Sequence, residues 1–201
     1  HGSSSYRVPW LFDEEACDVL RDAVKRKLSL MPYLLQEALE AHEKGTPMMR
    51  PLFMEFPDDL NTYTIDTQYF LGSNLMVAPV FSATGEVDFY VPESEGGWVW
   101  WFDQDKTYRG GKWYREAHPI STLPILIRPG TVTAVNPDLT DPEDDYEDGL
   151  ELLVNGPLRG KVDVKLVDPK NPDTVKKMTS VSMANDDDVV VEGIGAPVLL
   201  S

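Results

Sequence analysis

The side chains able to do chemistry are many but dispersed. Asp and Glu number 34 among 201 residues. Hydrolysis by a carboxylate pair needs two of them within about 5–10 Å of each other, one as nucleophile or base and one as acid. No pair stands in a setting that marks it for this work. Asp13 is the best placed, directly after a loop, but capping of the following helix accounts for it without catalysis. The runs Asp144-Asp145 and Asp186-Asp187-Asp188 raise calcium, yet they lack the spaced oxygen ligands and the glycine of a calcium loop. Solvated acidic loops are the plainer reading. The histidines are His1, His42 and His118, and no two have metal-ligand spacing. His42 closes an apolar helix stripe, where partial burial is expected, and His118 precedes Pro119 in an expected loop. Cys17 falls in the first turns of a helix, where the dipole lowers a thiol's pKa; a small packing residue is the alternative. Trp98, Trp100, Trp101, Trp113 and Tyr114 form the densest aromatic group, either a stacking platform for sugar rings or the core and rim of a β-sandwich. No Gly-x-Ser-x-Gly elbow and no phosphate-binding loop occurs.

The elements that must position these residues follow from periodicity. Residues 1–12 are rich in Ser and Gly and end in Pro9-Trp10, which is loop chemistry. From Asp13 as N-cap, with Glu14 and Glu15 on the first turn, apolar residues recur every three or four positions: Leu20, Ala23, Val24, Leu28, Met31, Leu34, Leu35, Ala38 and Leu39. Pro32 predicts a kink or a restart, and Gly45 a C-cap. Residues 48–56 read as extended and residues 64–70 as one helical turn. Short strands are expected over 75–81, 87–91, 98–102, 112–116, 125–128 and 131–135, punctuated by Gly, Pro, Asn and Asp as in a β-sandwich. The acidic stretch 137–149 suggests a linker, and further strands are expected over 150–154, 161–167, 175–181 and 188–191.

Composition bounds the partners. With 18 Lys and Arg, the formal net charge is −16, which argues against nucleic acid and against an anionic membrane surface. No apolar run approaches the ~20 residues of a membrane span. One cysteine excludes an internal disulfide and a Cys-based zinc site. The single thiol and the lack of any Asn-x-Ser/Thr acceptor lean toward an intracellular setting, with secretion left open. The first residues show neither Met, nor a basic region, nor an apolar signal core, so the chain reads as part of something longer.

The run His1-Gly2-Ser3-Ser4-Ser5-Tyr6-Arg7-Val8-Pro9-Trp10 resembles glycoside hydrolase family 31, and within it the α-xylosidases. The likeness continues in order through Met31-Pro32-Tyr33-Leu34, Gly45-Thr46-Pro47-Met48-Met49-Arg50-Pro51 and Glu55-Phe56-Pro57-Asp58-Asp59. It extends through Gln68-Tyr69-Phe70-Leu71-Gly72, Leu75-Met76-Val77-Ala78-Pro79-Val80 and Leu123-Pro124-Ile125-Leu126-Ile127-Arg128, covering about residues 1–135.

The resemblance implies a multidomain α/β plus all-β protein. Residues 1–46 would be the end of a catalytic (β/α)8 TIM barrel, comprising the last strand end and a kinked helix. Residues 47–135 would be a proximal C-terminal β-sandwich and 136–201 a distal β-domain. It implies retaining hydrolysis of an α-xyloside oligosaccharide such as a xyloglucan fragment, without metal or cofactor. An α-glucosidase of the same family is the nearest alternative, and a non-catalytic carbohydrate-binding or structural module a third. The family's nucleophile and acid/base lie upstream of these motifs, so no catalytic carboxylate is assigned here and the upstream barrel segment is an implied partner. His1 matches the family histidine that hydrogen-bonds the sugar in the cleavage subsite; a terminal residue without a role is its alternative. A homo-oligomer stays open.

Overall fold

The computed structural model describes residues 8–185 and 188–200. Two helices open it. In α1 (Glu14–Ser29) the Asp13 carboxylate accepts from the Ala16 N–H at 2.7 Å, the N-cap its sequence position predicts. The interruption at Pro32 is a restart: α2 (Met31–Lys44) begins with Pro32 in its first turn, where a missing N–H costs nothing. Gly45, at φ 72°, closes α2 in the left-handed conformation that glycine adopts freely.

The extended reading of 48–56 holds only for β1 (Met49–Arg50); Pro51 then starts a helical turn, α3 (Leu52–Glu55). The helical turn expected at 64–70 lies earlier, as a 3-10 turn over Leu60–Thr64 capped by Asp59. The strands that follow are β2 (Tyr69–Leu71), β3 (Leu75–Val77), β4 (Glu86–Val91), β5 (Trp98–Trp100), β6 (Asp103–Tyr108), β7 (Lys112–Ala117), β8 (Ile125–Ile127) and β9 (Thr131–Val135). They continue as β10 (Glu151–Asn155), β11 (Val162–Asp168), β12 (Asn171–Asn185), β13 (Asp188–Glu192) and β14 (Val198–Leu200). The polar β6 has no apolar alternation strong enough to announce it. The acidic stretch is no tether: β9 and β10 pair antiparallel across it, Leu139 and Tyr146 are buried, and Asn136 Nδ2 donates to the Tyr146 and Asp148 carbonyls.

Four sheets stack in layers: β1-β2-β3-β8-β5-β6, the ribbon β4-β7, β14-β10-β9, and β11-β12-β13. The two-residue strand period distributes side chains among three cores. Met76, Trp98 and Leu126 face the β4-β7 ribbon, whereas Leu75, Val99 and Ile127 point the other way, toward Tyr33 of α2, Val135 and Leu153. On β9 and β10, Val132, Ala134, Leu152 and Val154 turn to the last sheet. Asn74 and Asn155 bond across the junction of the sheets, Asn74 Nδ2 to the Val132 carbonyl and Asn155 Nδ2 to the Ile127 carbonyl. The result is predominantly β-sheet with a short helical lead. Among the described residues, no helix is long and apolar enough to cross a membrane.

Candidate functional site

The candidates from sequence do not converge. His1 lies outside the described residues, as do Asp186 and Asp187. Asp13 serves as the cap described above. Cys17 is a free, half-buried thiol on α1. His42 is exposed, not partly buried, because α2 turns that flank to solvent. Asp144 accepts from the Thr140 and Asp141 N–H groups, and these backbone bonds hold its carboxyl below the usual range. Asp145 accepts from Lys176. Among the described residues no group of three or more His, Cys, Asp or Glu is placed to hold a metal ion.

The aromatic group divides. Trp98 is fully buried, with Nε1 donating to the Pro92 carbonyl, and the half-buried Trp100 donates to the Leu123 carbonyl. Only Trp113 of the set is open, 56% exposed on the outer face of β7, with its ring 5.5 Å from that of Tyr90.

What converges instead is a buried ionic junction. Arg50 Nη2 donates to Glu37 Oε2 at 2.9 Å and Nη1 to Glu55 Oε1 at 2.7 Å, while Nε donates to the Pro47 carbonyl. Arg128 Nη1 reaches the other Glu55 oxygen at 2.7 Å. Ser73 Oγ donates to Glu37 Oε1, and the Tyr33 hydroxyl donates to the Leu71 carbonyl while accepting from the Asn74 N–H. The Glu37 side chain is only 1% exposed. Burial raises its pKa, and the Ser73 hydrogen bond and the Arg50 charge offset part of that rise. Burial likewise pushes the Tyr33 hydroxyl far above its ordinary value. Gly72 sits at φ 65°, and a Cβ there would overlap the Tyr33 hydroxyl and the Glu37 carboxylate.

The junction pins α2 against β1, α3, β8 and the β2-β3 turn. Both carboxylates are occupied by guanidinium groups, and the junction positions elements rather than attacking a substrate. Its residues come from α2, β1, α3, the β2-β3 turn and the end of β8, so no spacing rule could assemble them. The available signal was that Tyr33, Arg50, Glu55, Gly72 and Arg128 all fall inside the motifs that carry the resemblance.

A second polar cluster closes the far end of the β4-β7 ribbon. Glu116 Oε2 accepts from Lys106 Nζ and from the Tyr108 hydroxyl, both at 2.9 Å. His118, buried rather than merely in a loop, meets Thr122 Oγ1 at 3.1 Å and packs edge-on against Trp100. Its Nε2 lies 3.2 Å from Glu116 Oε2 without the alignment of a hydrogen bond. Burial lowers the His118 pKa, against the pull of Glu116.

Residues 45–133 match the family model described as the glycosyl hydrolase family 31 C-terminal domain. The chain belongs to glycoside hydrolase family 31. Among its family relatives, an α-xylosidase of Emericella nidulans is 59% identical over 187 residues, which is 90% of this chain and 24% of the relative. An α-xylosidase of Lactiplantibacillus pentosus is 41% identical over 180 residues, 88% of this chain and 23% of the relative. The chain thus spans about a quarter of the length of these relatives. In fold it is similar to a family-31 dextranase from Flavobacterium johnsoniae solved with glucose, with a TM-score of 0.77 and 22% identity, covering 98% of this chain and 26% of that one.

Proposed function

We propose that this chain is the C-terminal part of a retaining α-xylosidase that releases non-reducing α-linked xylose from oligosaccharides such as xyloglucan fragments. The observation that carries the reading is the 59% identity to an α-xylosidase over nearly the whole chain. In this reading residues 1–46 end the catalytic (β/α)8 barrel, residues 47–135 form the proximal β-domain and residues 136–201 the distal one. The nucleophile and the acid/base come from the upstream barrel segment. One carboxylate attacks the anomeric carbon, the other protonates the leaving oxygen, and water then releases the sugar. His1 stands at the C-terminal end of the last barrel strand, where barrel enzymes assemble their sites, and its imidazole hydrogen-bonds a hydroxyl of the bound xylose. The ionic junction around Arg50 holds the helical end of the barrel to the proximal domain.

The test is the ratio of kcat/KM for p-nitrophenyl α-xyloside over the matching α-glucoside, measured on the complete protein. A ratio well above one is expected. A clear preference for the glucoside would replace the assignment with an α-glucosidase of the same family. The 201-residue chain alone hydrolyses neither.

One observation favours a second reading for the isolated chain, as a carbohydrate-binding module. Trp113 presents an open ring beside the cleft lined by Asp58, Asp59, Tyr90 and Glu93. Titration with xyloglucan oligosaccharide, followed by tryptophan fluorescence, tests it against Trp113→Ala. An unchanged spectrum at millimolar sugar removes this reading.

A further inference from the structure

Two clefts run into one another between the β4-β7 ribbon and the last sheet. The first, of 640 Å³, is lined by Tyr90 of β4 and by the exposed carboxylates of Asp58 and Glu93. The second, of 410 Å³, shares Phe56 and Glu93 with the first and leads on to Arg128, Arg159 and Val162 of β11. The open ring of Trp113 stands beside the first cleft, next to Tyr90. At the other end the Arg128 Cζ lies 4.7 Å from the centre of the Phe56 ring, which fixes the guanidinium. Arg128 spends Nη1 on Glu55 and on the Ser73 carbonyl. Its Nε and Nη2 have no acceptor among the described residues, and the side chain is 26% exposed. Arg159 is steadied by Glu95, its Nε donating to Oε2 at 2.8 Å. Guanidinium donors and carboxylate acceptors thus share one groove. A hydroxyl both donates and accepts and carries no charge, so it pairs with either group. A polyanion would meet Asp58 and Glu93, and a basic chain would meet Arg128 and Arg159.

We propose that this groove binds an uncharged oligosaccharide several sugar units long, stacked on Trp113 at one end and hydrogen-bonded by Arg128 and Arg159 at the other. The inference deepens the carbohydrate-binding reading of Trp113 and rests on it. That reading needs one ring against one sugar; the groove adds polar recognition and a requirement for length. Each cleft alone has the volume of a small-molecule site, about 300–1,000 Å³, so the pair holds more than one sugar ring. A short sugar on Trp113 occupies the first cleft only. A longer chain reaches the second cleft too, and that second contact is intramolecular, so it adds affinity without a second loss of translational freedom.

The experiment titrates the 201-residue chain with xyloglucan heptasaccharide and, separately, with the xylosyl-glucose disaccharide, followed by calorimetry and by NMR. The heptasaccharide is expected to bind at least about tenfold more tightly than the disaccharide. Trp113→Ala weakens both. Arg159→Ala removes a side chain that is 82% exposed, so the fold is expected to keep its Tm. The same variant is expected to weaken the heptasaccharide about three- to tenfold, the worth of a hydrogen bond, and to leave the disaccharide unchanged. Arg128 belongs to the ionic junction and is therefore read without substitution: its Nε–H signal moves with the heptasaccharide and not with the disaccharide. If the two sugars bind equally and only Trp113→Ala matters, the groove proposal is wrong and the Trp113 reading stands. If neither sugar binds at millimolar concentration, both are wrong. Hexagalacturonate, of similar length but anionic, is expected not to bind. Binding as tight as that of the heptasaccharide would overturn the assignment to an uncharged ligand.

Discussion

α1 and α2 share one apolar stripe and meet at Leu30, yet they are held by different physics. α2 buries Pro32, Tyr33, Glu37 and Leu39 between the sheets and has no side-chain cap at its start. α1 buries nothing fully and relies on local devices: the Asp13 cap, Glu14 and Glu15 at its N-terminus, and Arg26 and Lys27 in its last turn. The Leu30 carbonyl accepts from the Leu34 N–H, so the restart leaves the two helices hydrogen-bonded through the break. The contrast teaches that an apolar stripe states that burial is required, but not which element supplies it. For α2 the supplier is the β-module of this chain. For α1 the described residues supply no such burial.

The sharpest way to break the contrast is Arg50→Met. It leaves Glu37 without its ionic partner and Glu55 with Arg128 alone. Removing one member of a buried ion pair costs about 3–5 kcal/mol, because a charge stays buried and unpaired. Urea unfolding of the 201-residue chain is expected to show a loss of that size. A loss under about 1 kcal/mol would mean that the junction is open to water and does not anchor α2.

Much of the fold was legible before the structure, and the failures have physical causes. The cap at Asp13, the restart at Pro32 and the close at Gly45 are local events set by residues within one turn, and they lie where the sequence places them. Strands with a buried face, such as β4 and β9, show as short apolar runs. β6, Asp103–Tyr108, does not, because its outward residues are polar and only Tyr108 is buried. The 137–149 stretch looked like a linker because its acids dominate the composition. Its fate was decided by two apolar residues, Leu139 and Tyr146, and by the amide of Asn136. The ionic junction was invisible to spacing. Glu37 and Arg128 are 91 positions apart in the numbering; they are joined through Arg50 and Glu55, and the pairing of β3 with β8 sets Arg128 beside the β2-β3 turn.

A smaller effect is expected at the other helix. Asp13→Ala removes the only side-chain cap of α1 and costs about 1 kcal/mol. In the 201-residue chain, where tertiary support for α1 is thin, this appears as fraying: reduced helical circular dichroism and faster exchange of the first-turn amides, with the urea midpoint nearly unchanged. In the complete protein, where the proposed barrel would cover α1, the fraying should be suppressed. Equal fraying in both proteins would show that α1 gains no support from the rest of the chain, and the contrast with α2 would then be intrinsic to the two helices.

The smallest expected effect is a dependence on pH. The folded pKa of Glu37 is raised above its ordinary 4.5, by burial first, with Ser73 and Arg50 offsetting part of the rise. A raised carboxyl binds its proton more tightly in the folded state. Its contribution to stability is therefore complete below pH 4.5 and is lost as pH rises through the folded pKa. Glu37→Gln has no proton to lose. The difference in unfolding free energy, wild type minus variant, should thus decline from pH 4.5 upward and level off once Glu37 is ionised. Other carboxylates cancel in that difference, since both proteins share them. A flat difference would mean that Arg50 compensates the buried charge in full. A rising one would mean that the guanidinium outweighs burial, and α2 would then be anchored by net attraction at the junction rather than by packing around it.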